Sequence, residues 1–248
     1  MNVRQRIKTV SLELAGERRV MDVRIGLGYT AVLLDDGRLG VAYTFHRDQV
    51  GGCTVFKAIR PLAGRKAFEL LHLFDSKDMV ESAVALATSN ALSNRMKDGL
   101  DQGDVLDKLE IVSDDRVGMV GYFAPVIPPL RKKTSHIRIF EQDSGPKNDV
   151  FSEEEAYRQL PNCQIALLTS TSIINNTVDR LLEAAANCRE VVMLGASTPL
   201  LPAVFKGTSV NVLSGVVVTD PENIMRVVSE GGGMRYFKGH INKVNMRL

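Results

Sequence analysis

Three stretches decide the fold: Cys163-Gln-Ile-Ala-Leu-Leu-Thr-Ser-Thr-Ser172, Val191-Val-Met-Leu-Gly-Ala-Ser-Thr-Pro199 and Val216-Val-Val-Thr-Asp-Pro221. Each passes from an apolar, β-rich run into a hydroxyl-rich cluster, and an amphipathic helix pattern follows. Near-continuous apolar runs are the mark of strands buried on both faces, so the expected architecture is a parallel α/β sheet covered by helices. In such sheets a ligand binds just beyond the carboxyl ends of the strands. The three polar clusters fall there.

Working outward, strands are expected at 117–123, 136–140, 163–169, 190–195 and 210–218, with a short Pro-started helix or turn over 125–133. Ser152-Glu-Glu-Glu155 reads as a capping box opening a helix. Asp220 before Pro221 is an equally good cap. The tail beyond Gly231 resumes as a loop and a final strand. The first half has a different grammar. Val3, Ile7, Val10 and Leu14 share one helical face. Residues 20–34 are strand material, Asp35-Asp-Gly37 is a turn, and 39–45 returns as a hairpin partner. Two helices follow, over 65–74 and 78–95. This is an α+β unit. The polar stretch Asp98-Gly-Leu-Asp-Gln-Gly-Asp104 marks the boundary, giving an N-terminal domain over 1–100 and a Rossmann-like α/β domain over 101–248.

Bulk properties narrow the function. At 248 residues with 44% hydrophobic content the chain can bury a substantial core. A net charge of +2 with mixed signs gives no reason to expect a nucleic-acid or membrane partner. There is no signal-like apolar segment near Met1 and no membrane-length span, so a cytoplasmic protein is expected. Three widely spaced cysteines without CxxC argue against a disulfide framework or a zinc knot. A homodimer is the default assembly.

Four candidate sites emerge. Thr169-Ser-Thr-Ser172, with Asn175 and Asn176 one turn into the expected helix, offers hydroxyls and backbone N–H groups to an anion or a carbonyl-rich ligand. Simple N-capping by Thr171 or Ser172 is the competing reading. Gly195-Ala-Ser-Thr-Pro199 offers Ser197 and Thr198, with Thr198 as cap and Pro199 as first helical residue. Gly118-Met-Val-Gly121, with bulky Tyr122 and Phe123 behind it, sits where a dinucleotide glycine turn would be. Glu141 lies about twenty residues on, as a ribose-binding carboxylate would. Gly51-Gly-Cys-Thr54 forms a Gly-rich loop in which Cys53 is either a thiolate ligand or a small buried hydrophobe. Ser89 and Asn90 interrupt an apolar helix and are expected to face the other domain. His46, His72, His136 and His240 are scattered, and none stands at metal-ligand spacing.

Taken together, Leu160-Pro-Asn-Cys-Gln-Ile-Ala-Leu-Leu-Thr-Ser-Thr-Ser-Ile-Ile-Asn-Asn-Thr177, Leu194-Gly-Ala-Ser-Thr-Pro-Leu-Leu-Pro202, Val217-Val-Thr-Asp-Pro221 and Glu230-Gly-Gly-Gly-Met-Arg-Tyr-Phe-Lys238 resemble the "putative heavy-metal chelation" domain family. The Gly51–Thr54 loop and Ser89-Asn-Ala-Leu92 resemble its N-terminal partner domain. The resemblance implies an enolase N-terminal-like α+β domain packed on the Rossmann-like domain, with a ligand cleft between them. It implies a cleft lined by Gly52, Cys53, Thr54 and Asn90 on one side. Tyr122, Thr169, Thr171, Asn175, Ser197 and Thr198 would face them. The expected ligand is small and anionic or metal-containing, bound with a transition or heavy metal ion that Cys53 or a nearby carboxylate touches, with or without chemistry on the chelate. The alternative is an enzyme using a nucleotide or S-adenosyl cofactor at Gly118 and Gly121, with Glu141 on the ribose.

Overall fold

The computed structural model describes residues 1–46, 54–57, 59–142 and 150–248. Helix α1 (Val3–Ala15) opens the chain, and the Asn2 side chain accepts the Gln5 N–H as its cap. Strands β1 (Val20–Ile25), β2 (Tyr29–Leu34) and β3 (Leu39–Tyr43) form an antiparallel sheet in that order. The stretch 20–34 is therefore two strands, and the chain reverses at Gly26-Leu-Gly28. A Cβ on Gly26 would lie 2.1 Å from the Val228 carbonyl oxygen, so the turn is pressed onto a helix 200 residues away in sequence. Nothing local announces that contact.

Helices α2 (Ala67–Leu71) and α3 (Met79–Ser93) follow. Asp78 caps α3, accepting from Val80 N and Glu81 N. Nearly every residue of α3 is buried, because small and apolar residues surround it on all sides and it has no solvent face. It lies on β3 so closely that a Cβ on Gly40 would meet Ala87 O and Ala91 N, each at 2.1 Å.

The second sheet has eight strands: β4 (Asp101–Gln102), β5 (Val117–Val120), β6 (Ile137–Glu141), β7 (Val150–Ser152), β8 (Ile165–Thr169), β9 (Glu190–Leu194), β10 (Val212–Val218) and β11 (Ile241–Arg247). Their order is β4-β11-β10-β9-β8-β5-β6-β7. Neighbours from β5 through β10 pair in parallel, while β11 and β4 add an antiparallel edge. Counted from β5, the parallel part runs 3-2-1-4-5-6, the doubly wound order whose direction reverses between β5 and β8. Helices α4 (Ile127–Arg131), α5 (Glu153–Gln159), α6 (Val178–Ala184), α7 (Pro202–Phe205) and α8 (Pro221–Ser229) complete the unit.

Alternation along β8 builds two cores. Ile165 and Leu167 face a cluster with Val117, Met119, Leu106 and Leu130. Ala166 and Leu168 face the opposite cluster, which runs without a break into Val3, Ile7 and the α3 residues of the N-terminal half. A third cluster joins Ala31, Leu39 and Val41 to Val216, Ile224 and Val228. Among the described residues no helix is long and apolar enough to cross a membrane.

Three expected helix starts differ. Ser152 precedes α5 but its side chain makes no cap hydrogen bond. After β8 the chain makes a 3-10 turn (Ser170–Ile173) capped by Thr169, and α6 begins only at Val178. Asn175 and Asn176 thus precede the helix. After β9 no helix starts at Pro199, and α7 begins at Pro202. The Asp220 cap forms as expected, accepting the Asn223 N–H.

Candidate functional site

The reversal between β5 and β8 opens the crevice in which doubly wound sheets bind ligands. Gly121 leaves β5 with φ +95°, and its N–H donates to Phe140 O at 2.8 Å. A Cβ there would stand 2.8 Å from the Thr169 Cβ. Gly195 leaves β9 with φ +127°, against the Ser170 hydroxyl. The Phe123 ring lies 3.2 Å from the Gly121 Cβ position and 3.8 Å from that of Gly195. Glycine at both strand ends is thus what lets these crests and the Phe123 ring close together.

The hydroxyl cluster divides its work. The Ser170 hydroxyl donates to Leu194 O at 3.2 Å and the Ser172 hydroxyl to Thr169 O at 2.6 Å, and both residues are buried. Thr169 and Thr171 are half-buried and their hydroxyl oxygens pair at 2.9 Å. The rim therefore presents two adjacent hydroxyls. Tyr122 beside them is 42% exposed, and its N–H donates to the Glu141 carboxylate at 2.8 Å. The other Glu141 oxygen accepts the Gln142 N–H at 3.0 Å. Glu141 thus ends β6 next to β5, where a ribose-binding carboxylate stands in this topology. Gly118 does not share that place. It lies mid-strand, pressed by Leu160 and Cys163, away from the turn.

Asn90, Ser197 and Thr198 form a second group, in a buried joint between the two sheets. Asn90 Nδ2 donates to Val41 O at 2.9 Å and Ser197 O at 3.1 Å. Ser197 Oγ accepts the Tyr43 N–H at 2.8 Å. Asn94, one turn after Asn90, donates through Nδ2 to Thr198 O and Val216 O and accepts Leu200 N–H through Oδ1. The i, i+4 spacing of Asn90 and Asn94 was the signal that could have found it. Asn90 Oδ1 and Thr198 Oγ1 are buried there without a hydrogen-bond partner among the described residues.

Asn175 stands in a third place. Its Oδ1 accepts from the Thr177 hydroxyl at 2.9 Å, and it borders a cavity shared with the starts of α1 and α3. Thr54 is exposed at the start of a short turn, after which Val55 and Phe56 are buried and the Phe56 N–H donates to Glu81 Oε1 at 2.8 Å. Gly52 and Cys53 lie outside the described residues.

Among the described residues no group of three or more His, Cys, Asp or Glu side chains could hold a metal ion. The Cys163 thiol donates to Gln159 O and the Cys188 thiol to Leu160 O, both at 3.4 Å. Burial pushes both thiols up, Cys188 to about 12, so they rest protonated at neutral pH. His240 Nδ1 is paired with Asp220 Oδ2 at 2.9 Å. The described side chains alone do not make a first coordination shell for a bare ion. Two hydroxyls at a strand-end crevice suit the oxygen atoms of an organic ligand better.

Solved structures with this fold include a protein of unknown function from Pyrococcus horikoshii, 25% identical, with a TM-score of 0.86 over 100% of both chains. Another, of unknown function from Desulfitobacterium hafniense DCB-2, is 22% identical, with a TM-score of 0.82 over 99% of this chain and 98% of that one. An uncharacterised protein of Methanocaldococcus jannaschii is 26% identical over 98% of this chain and 97% of its own. Residues 9–93 match one family described as "Putative heavy-metal chelation", and residues 104–247 match a second with the same description. With matches over both halves, the chain belongs to the "putative heavy-metal chelation" family.

Proposed function

We propose that this protein binds a metal in chelated form, holding the chelator's oxygens at the rim where β5 and β8 part. The observation that carries this is the half-buried Thr169–Thr171 hydroxyl pair at the doubly wound switch point, in a chain whose described residues hold no ligand cluster for a bare ion. The rim hydroxyls and Tyr122 orient the ligand. Cys53, which follows Gly51-Gly52, is the soft donor offered to the metal itself. The family description agrees with this cargo.

Calorimetry with nickel(II), copper(II) and iron(III), each as the chloride and as the nitrilotriacetate complex, tests the reading, with free chelator as control. The complexes should bind with Kd below about 1 mM. Thr169→Val with Thr171→Val should abolish that binding, and Cys53→Ala should weaken it. Equal binding of the free chelator, or full affinity in the double valine variant, would remove the proposal.

A second reading retains one observation, the Glu141 carboxylate at the end of β6 beside the Gly121 turn. If a nucleotide or S-adenosyl cofactor bound there, such a compound would raise the melting temperature, and Glu141→Ala would cancel the rise. The Phe123 ring against Gly121 stands against it, because it occupies the space a pyrophosphate needs beside that glycine.

A further inference from the structure

Strand β1 is an outer strand of the three-stranded sheet, and part of its free edge is unpaired. The Gly26 N–H donates to Tyr29 O at 2.9 Å, which fixes the alternation along the hairpin. Gly26, Arg24 and Asp22 turn their backbone groups toward β2, so Val23 and Ile25 turn theirs outward. At the start of the strand the outer edge is already taken. The Val20 N–H donates to Arg65 O and Val20 O accepts the Gly64 N–H, both at 2.8 Å. No such bond reaches Val23 or Ile25 among the described residues. Two N–H groups and two carbonyls therefore stand open between the Gly64–Arg65 segment and the turn at Gly26-Leu-Gly28.

The side chains along this edge leave it approachable. Asp22 and Arg24 lie on the α8 face and neutralise each other, Arg24 Nε and Nη2 donating to Asp22 Oδ2 at 2.8 and 2.6 Å. Val23 lies on the opposite face, packed on the cluster that holds the α3 residues. Ile25 is 44% exposed and Met21 is 59% exposed. A strand edge with open backbone groups and exposed apolar residues is a template for a further strand.

A second copy of β1 matches it. With a two-fold axis at Arg24 and the strands antiparallel, Val23 of each copy lies opposite Ile25 of the other. All the open groups of both edges then close in hydrogen bonds. Other registers fail. Centred on Val23, the second copy's Gly26 would fall where Gly64 and Arg65 hold Val20. Centred on Ile25, Val23 would meet the turn residue Leu27 and stay unpaired. A longer foreign strand would run into the Gly64–Arg65 segment, whereas the copy turns away at its own Gly26. The axis sets the two Arg24 side chains opposite each other, each still carrying its Asp22, so the charges at the centre sum to zero. A net charge of +2 per chain opposes the approach little.

We propose that β1 is the contact by which two copies of this chain associate, an antiparallel β1–β1 joint about Arg24 that merges their small sheets into one. The joint is separate from the Thr169–Thr171 rim and does not depend on the chelate reading.

Sedimentation equilibrium on the full chain tests it. From about 5 to about 500 µM, monomer and dimer should exchange with Kd of about 100 µM or lower. Hydrogen exchange read by NMR over the same range should slow at the Val23 and Ile25 amides as the dimer forms. Ile25→Pro removes an N–H that the monomer does not use, at an edge position where proline is tolerated. The monomer's melting temperature should hold, and dimer affinity should fall about tenfold or more. Ile25→Lys puts the same question through the side chain alone, and it decides the matter should the proline variant melt early. Arg24→Cys reads the register. The two introduced thiols face each other across a non-hydrogen-bonded pair, with Cα atoms about 4.5 Å apart, and oxidised glutathione should join them. Asp22→Cys, opposite Gly26 of the second copy, should not link. A monomer at the highest concentration, a dimer that both Ile25 variants leave intact, fast exchange at Val23 and Ile25 in the dimer, or no link through Arg24→Cys would overturn the proposal.

Discussion

Asn94→Ala should be a strongly damaging polar truncation. Asn94 is 8% exposed and its amide joins the end of α3 to three separate backbone groups of the larger unit. Nδ2 donates to Thr198 O at 2.9 Å and to Val216 O at 3.3 Å, and Oδ1 accepts the Leu200 N–H at 2.8 Å. Oδ1 also accepts the Ser93 hydroxyl at 2.9 Å. Alanine leaves a buried N–H and two buried carbonyls short of partners. Each orphan costs about 1–3 kcal/mol, reduced where water enters the vacated space, so about 3–5 kcal/mol in total is expected. Against a net stability of about 5–15 kcal/mol that is a large fraction. At about 2–4 °C per kcal/mol for a chain of this size, the melting temperature should fall by about 10 °C. Thermal unfolding by circular dichroism reads the shift. Hydrogen exchange on the amides of β2 and β9 shows whether both units lose protection together, as a joint across their interface requires. Asn94→Asp should not rescue, because a carboxylate cannot donate to Thr198 O. A shift under about 2 °C would refute the argument, since it would mean water satisfies all three groups without cost.

Other changes probe neighbouring features. Thr198→Val removes a buried hydroxyl that has no partner among the described residues and keeps its shape, so stability should hold or rise by up to about 1 kcal/mol in urea unfolding. Loss of ligand affinity in that variant would instead return Thr198 to the binding site. Gly40→Ala drives a methyl into Ala87 O and Ala91 N at 2.1 Å, and since both are helix backbone the cost should be about 3 kcal/mol or more by the same assay. Asp115 is held below the usual carboxylate range by its hydrogen bonds to Arg189 and the Val112 N–H. A depressed carboxyl contributes stability above its unfolded pKa of about 4, and that contribution is lost as pH falls through the folded value. Asp115→Asn should therefore lower stability at neutral pH and flatten the decline below about pH 4 in a pH series of melting curves.

The reach of the sequence follows the range of the forces involved. Strands β8, β9 and β10 are legible because burial on both faces writes an apolar run into the chain itself. The Asp220 cap is legible because its partner, the Asn223 N–H, is three residues away. The turn at Gly26-Leu-Gly28 is not, because the reason for Gly26 is the Val228 carbonyl. The order 3-2-1-4-5-6 is likewise a property of pairing between distant strands. The candidate site was legible to the same degree. Thr169 and Thr171 stand at the rim, whereas Ser197 and Asn90 meet Tyr43 N–H, Val41 O and Ser197 O in a buried joint. A hydroxyl that binds a ligand and one that closes an interface look alike until the partner is known. The buried bonds from Arg4 to Phe74 O, Ser76 O and Ser82 Oγ carried no local signal either, since those partners are some seventy residues or more away in sequence.

The misplaced helix start after β8 has a consequence for function. Ligand binding at a doubly wound sheet usually relies on a helix that begins right at the strand end, so that its N-terminal N–H groups meet the ligand. Here residues 170–177 separate β8 from α6, and they spend the local signals differently. Thr169 caps a 3-10 turn and not an α-helix. Thr177 N–H donates to Ser172 O, and Asn176 at φ +63° turns the chain back before α6 begins. The dipole of α6 is thereby set back from the crevice, and at seven residues it is a short helix. What remains at the rim is hydroxyl chemistry from Thr169 and Thr171, while the N-termini of the longer helices α1 and α3 open on the cavity that Asn175 borders. A protein built this way should bind neutral or metal-compensated oxygens at the rim. Binding of a charge-neutral chelate at Thr169 and Thr171 should therefore hardly change as salt is raised to about 1 M, where the Debye length shrinks to about 3 Å. A steep loss of affinity over that range would mean that fixed charge, and not hydroxyl chemistry, holds the ligand.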